Sequence, residues 1–198
     1  MKFEQQYRSR RMVVKAAFAG VCGLVASAGV FSQAAAAAEN ESVAMGPTEL
    51  INALRAIGKP VCLDAADSLA ASTRSSAGFD LHLRHAELNE ADTQILANGL
   101  LGSAADNGFF LRSFSASYNP GLGDAGAAAL AAAFPKTMLE LGLVGCSIGD
   151  AGGRSILKWA LTAPDLRMIC IEGNNFSTGM KSQFQTLATL GRDVLVVV

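Results

Sequence analysis

Both histidines of the chain fall in one short stretch, Asp80-Leu81-His82-Leu83-Arg84-His85. A second stretch, Arg112-Ser113-Phe114-Ser115-Ala116-Ser117-Tyr118, holds three serines at alternate positions. A serine, an imidazole and a carboxylate are the parts of an acyl-transfer site. Such a site also needs the base bonded to the nucleophile and donors for an oxyanion. Strand backbone N–H groups are consumed in the sheet ladder, so serines on a flat sheet lack oxyanion donors. A hydrolase using Ser115 or Ser117 with His82 is therefore the weaker reading, and the chain is expected not to be an enzyme. His82 and His85 are three apart and need not share a strand face, so a metal site with Cys62 or Asp80 is not favoured, and no metal or other cofactor is expected. Gly121, Gly123 and Gly126 imitate a nucleotide loop, G-x-G-x-x-G. Here the glycines belong to a turn that recurs: Leu122-Gly123-Asp124-Ala125-Gly126 returns as Ile148-Gly149-Asp150-Ala151-Gly152.

The elements that would carry these residues are set by that recurrence. Leu111, Met138, Leu166 and Val194 begin four similar segments, 27, 28 and 28 residues apart. The first three read L-x-x-L-x-L-x-x-N/C, ending at Asn119, Cys146 and Asn174, and the fourth starts as Val194-Leu-Val-Val197. An earlier, less regular copy covers 80–86, and Pro60-Val61-Cys62-Leu63-Asp64 reads as a capping strand. Helices are expected over 89–101, 123–134, 149–162 and 177–190. Asn89 with Asp92, Asp124, Asp150 and Ser177 suit their starts as caps. Residues 47–58 read as a capping helix. Asn119 and Asn174 should turn inward and bond backbone groups left free where each strand ends. Cys146 should be a buried substitute for the same asparagine.

Period, strand pattern and turn together resemble the ribonuclease-inhibitor-like subclass of leucine-rich repeats, over residues 78–198 and as far back as 60. The resemblance implies an α/β solenoid, with a parallel sheet on the concave side and helices on the convex side. It implies a binding role without naming a partner, because function lies in sites rather than folds. Ala86 and Cys146 depart from the asparagine of the pattern, Phe114 and Ala116 from its leucines, and the copy from 78 to 111 is longer than the rest. One strand–helix unit cannot bury its apolar face alone; stacking makes one core.

That fold puts the residues between the inward leucines on the concave face. The columns across successive strands are Asp80, Ser113, Glu140, Met168; His82, Ser115, Gly142, Cys170; Arg84, Ser117, Val144, Glu172; and His85, Tyr118, Gly145, Gly173. The candidate partner-binding residues are Asp80, His82, Arg84, His85, Arg112, Ser115, Ser117, Tyr118, Glu140, Cys170 and Glu172. The strip is polar at its N-terminal half and small and apolar at its C-terminal half, which suits a protein partner. An ordinary solvated sheet face is the competing reading. Cys170 is expected to be exposed and the most reactive of the thiols, and Trp159 to be packing or convex surface. The apolar, uncharged end from Val194 to Val198 is a sheet-edge liability, so it is expected to be covered or to self-associate.

The N-terminus reads as an address. Residues 1–38 hold five basic residues and one acid, then an apolar run over 12–31, then Ser32-Gln33 and five alanines. That order is the plan of a secretory signal peptide, with cleavage expected after Ala38 and Ala34 or Ala35 as near alternatives. Ser9-Arg10-Arg11-Met12-Val13-Val14-Lys15 resembles the twin-arginine consensus, the pair being Arg10 and Arg11, with Val13 and Val14 in place of Phe and Leu. That resemblance implies export in a folded state, to a periplasm first, with an organelle lumen or the cell exterior as alternatives. No stable membrane anchor is expected after cleavage. The expected organisation is a signal peptide over 1–38, a linker and capping helix over 39–59, and the repeat domain over 60–198. The remainder after residue 38 carries 11 basic and 16 acidic residues, a net charge of −5 that argues against a nucleic-acid partner. The whole chain is 51% hydrophobic and 17% charged, enough to bury a core.

Overall fold

The computed structural model describes residues 47–71, 78–103, 110–190 and 193–198. The expected signal peptide over 1–38, with Arg10, Arg11 and the expected cleavage position Ala38, lies outside the described residues. Among those described, no helix is long and apolar enough to cross a membrane.

The architecture is α/β. Two helices, α1 (Thr48–Ile57) and α2 (Pro60–Ala71), precede an alternation of strands and helices: β1 (Phe79–His82), α3 (Glu90–Ser103), β2 (Leu111–Ser115), α4 (Gly123–Ala133), β3 (Glu140–Gly142), α5 (Asp150–Thr162), β4 (Met168–Cys170), α6 (Thr178–Thr189) and β5 (Leu195–Val197). The strands form one parallel sheet in sequence order, β1-β2-β3-β4-β5. Leu81, Phe114, Leu141 and Ile169 from the strands share one buried core with Leu96, Leu130, Ile156 and Phe184 from the helices. α1 packs on α3, and α3, α4, α5 and α6 pack in succession.

Each helix follows from local chemistry. α4 holds seven alanines in eleven residues, and alanine is the strongest helix former. α5 buries Ile156, Trp159 and Ala160, and α6 buries Met180, Phe184 and Leu187, spacings of three and four that make one apolar stripe. Trp159 is nearly buried, with its ring edge-on to Phe134 at 5.2 Å between centroids. Residues 60–64 correct the sequence expectation: they open α2 and form no strand. Pro60 sits at the first helical position, where its missing N–H costs nothing. Cys62, Ala66 and Leu69 are the buried positions of α2, a helical period visible only when the window extends past Asp64.

The aspartates of the recurring turn also act differently from expectation. Neither caps its own helix. Asp124, in the first turn of α4, accepts the N–H groups of Gly149 and Gly152 at 2.7 and 2.9 Å, at the start of α5. Asp150, in the first turn of α5, accepts the Ser177 N–H at 2.8 Å and its hydroxyl at 2.6 Å, at the start of α6. Each aspartate thus satisfies orphan donors of the next helix and ties neighbouring units together. Thr178 stands at the same place in α6. Asn89 and Asp92, in contrast, form a reciprocal capping box on α3, each side chain accepting the other's N–H at 3.0 Å. Asp124→Ala is expected to cost about 1–2 kcal/mol, the range of a lost helix cap. A urea titration against the parent chain would check it; a change near zero would mean that water replaces the carboxylate without loss.

Candidate functional site on the open sheet face

One face of the sheet is buried in the core. The other, expected to be concave, is open. The expected columns are in register: Asp80 pairs with Ser113, Ser113 with Glu140, and Glu140 with Met168; His82 pairs with Ser115, Ser115 with Gly142, and Gly142 with Cys170. β5 extends both columns with Leu195 and Val197.

The candidate residues line two hollows that share His82, with His85 outside both. Asp80, His82 and Arg112 line a hollow against α2, beside Asp64 and Ser68. There Asp80 holds Arg112 in a two-pronged ion pair, with N···O distances of 2.8 and 2.5 Å. His82, Arg84, Ser115, Ser117, Tyr118, Glu140, Cys170 and Glu172 line a groove of about 300 Å³ along the middle of the face. His85 lines neither hollow but stacks flat on Tyr118, with ring centroids 4.6 Å apart and 6° between planes. Arg84 stands over the same tyrosine, its guanidinium carbon 5.3 Å from the ring centroid.

That cluster is conformationally costly. His85 and Tyr118 have φ of +53° and +61°, and the residues at their place in the next two turns are Gly145 and Gly173, at +61° and +70°. The left-handed region disfavours side chains with a Cβ, and glycine meets the turn without strain. Two bulky rings therefore hold a conformation that glycine fills elsewhere, and they do so while 41% of Tyr118 stays exposed. The sequence carried the signal: a column reading His, Tyr, Gly, Gly marks a left-handed turn whose first two members are exceptions.

Three expectations about single side chains change. Ser117 is buried, and its hydroxyl accepts the Val144 N–H at 3.1 Å. Ser113 is buried as well. Ser115 lies 3.4 Å from the Ser117 hydroxyl, and among the described residues no hydrogen bond joins His82 to either Ser115 or Ser117. Ser117 thus completes the turn after the next strand and is not presented to a partner. Cys170 is half-buried, and burial, Glu172 and Glu140 all raise its thiol above the ordinary range. At neutral pH it is a protonated thiol, less reactive than a free cysteine, because the thiolate is the nucleophile. Cys146 is fully buried and its thiol points to the Ala116 carbonyl at 3.2 Å, in the role expected of a substitute for asparagine. Cys62 is buried too, and its thiol is pushed up to about 11 by burial and then Asp92. Among the described residues no group of three His, Cys, Asp or Glu side chains could hold a metal.

The ion pair and the inter-helix cap give the fold an acid limb. The Arg112 hydrogen bond lowers the Asp80 carboxyl, and the Ser177 hydroxyl and N–H lower that of Asp150. Both contributions are complete above the unfolded carboxyl value, about 3.9, and are lost as pH falls through the lower folded values. The parent chain should therefore lose thermal stability below about pH 4. The double variant Asp80→Asn, Asp150→Asn should start lower at pH 7 and fall less toward pH 2.5. Parallel melting curves of the two chains would contradict this.

No protein-family model matches the chain, and no curated protein resembles it in sequence.

Proposed function

We propose that the chain is an exported, non-catalytic binding module, a short leucine-rich-repeat solenoid whose open sheet face takes a protein partner. The observation that carries this reading is the His85–Tyr118–Arg84 stack: two strained rings and a guanidinium kept at the surface beside a groove. Aromatic and arginine side chains around a partly desolvated hollow are the usual anchors of a protein interface. The in-register columns, the 27- and 28-residue spacing and the inward asparagines support the repeat architecture. The basic, apolar and alanine-rich order of residues 1–38 supports export, with the periplasm as the first compartment to examine.

The test is affinity capture from that compartment by three forms of the protein. Met168→Glu with Arg84→Glu alters the open face, and Lys158→Glu alters the helix side as a control. A partner held by the parent and by Lys158→Glu, and lost by the open-face variant, is the expected result. Equal retention by all three would overturn the reading.

A second reading, a structural protein that self-assembles, is favoured by one observation. Leu195 and Val197 on the edge strand β5 are 59% and 37% exposed, and β4 is the strand with which β5 pairs. If that edge pairs between copies, Leu195→Lys with Val197→Lys should lower the oligomeric state in sedimentation. An unchanged state would remove the reading.

A further inference from the structure

The aromatic column is half filled. His85 and Tyr118 occupy its first two levels with rings, and Gly145 and Gly173 leave the next two without side chains. A Cβ added at Gly145 would already come within 3.3 Å of Tyr118 Cδ1, so the ring borders the empty level directly. Beyond that level stands Glu172, beside Gly173, in the same groove as Tyr118. Its Oε2 is buried and has no hydrogen-bond partner, and no ion pair reaches it among the described residues. A buried carboxylate oxygen without a donor is costly, and a charge-assisted N–H donor offsets that cost.

We propose that this empty level takes an arginine side chain of the partner protein, stacked on Tyr118 and paired with Glu172. The inference rests on the reading of the open face as a protein-binding surface and names what that surface recognises. Tyr118 and Glu172 line the same groove, two strands apart and in neighbouring columns. A planar group can meet both, with its face against the ring and its in-plane N–H donors directed from its edge at the carboxylate. A guanidinium is flat, stacks on aromatic rings and offers a fork of donors to a carboxylate. A lysine ammonium cannot stack, and an aromatic ring would leave the Glu172 oxygen without a donor. The fold supplies its own precedent, since Arg84 already meets the Tyr118 ring.

The test uses the full chain and a fluorescein-labelled Gly/Ser peptide containing two arginines, with lysine and glutamate versions of the same peptide. Fluorescence anisotropy at low salt should show saturable binding of the arginine peptide and at least about tenfold weaker binding of the lysine peptide, the scale of a lost charge-assisted pair. The near-isosteric variant Glu172→Gln should weaken the arginine peptide by a similar factor. Tyr118→Gly, which suits the left-handed backbone, should weaken it as well. The proposal is overturned if the arginine peptide fails to bind, if lysine serves equally, or if Glu172→Gln leaves its affinity unchanged. If the arginine peptide fails while a natural partner is still lost on open-face substitution, the arginine inference falls alone. If no partner depends on that face, both fall.

Discussion

Phe114→Ala is expected to lower stability by about 3–5 kcal/mol, the range for removing a buried aromatic ring. Phe114 is fully buried in β2, with strands on both sides. Its ring meets Phe134 at 4.9 Å between centroids, and Phe134 meets Trp159 at 5.2 Å. The three aromatics join β2 to the end of α4 and to α5. Alanine would remove one ring of the chain and leave Phe134 facing a void that neighbouring strands and helices on both sides cannot close. Phe114→Leu restores the residue type of the other strands and should cost less than about 1.5 kcal/mol. Thermal melts of both variants give the answer, at about 2–4 °C per kcal/mol for a domain of this size. If leucine costs as much as alanine, the aromatic contacts dominate over volume; if alanine costs under 1 kcal/mol, the core there is loose and the packing account fails.

Much of this arrangement could be read from the sequence, because the signals were periodic. Leu111, Met138 and Leu166 begin their segments at nearly constant spacing, and the structure pairs the strands that follow in the register this spacing sets. The four helices from α3 to α6 fall within two residues of the expected bounds. What escaped was information that lies between units. Asp124 and Asp150 looked like caps of their own helices because a capping rule reads along the chain; their carboxylates reach sideways to the following helix. Ser117 looked like a surface residue because strand alternation puts it outward, yet the neighbouring strand's Val144 N–H needs an acceptor there. Residues 60–64 looked like a strand because five residues are too few to separate a period of two from one of 3.6. The Tyr118 stack needed the columns and the glycines read together: His85 and Tyr118 stand where Gly145 and Gly173 show that the backbone is left-handed.

Asn119→Ala should be nearly as damaging, at about 3 kcal/mol, with almost no change in apolar volume. Asn119 is fully buried. Its Oδ1 accepts the Leu88 N–H at 2.9 Å, and its Nδ2 donates to the Leu83 and Ala116 carbonyls at 2.9 and 2.7 Å. These groups lie where two successive strands, β1 and β2, leave the sheet, beyond the reach of the strand ladder. Alanine would leave one buried donor and two buried acceptors without partners, at about 1–3 kcal/mol for each group that water cannot reach. Asn119→Asp separates the two halves of the contact: it keeps the acceptor for Leu88, loses both donated bonds and buries a charge. It should be at least as destabilising as alanine at pH 7 and should recover as the pH is lowered and the carboxyl takes a proton. Cys146 offers an internal comparison. At the same place in the next turn, its thiol reaches the Ala116 and Val144 carbonyls but has no amide oxygen to offer. Cys146→Ala should therefore cost less than Asn119→Ala. Denaturant titrations of the three variants would rank them. Equal losses at the two positions would mean that volume, and not the amide's hydrogen bonds, holds the turn inward.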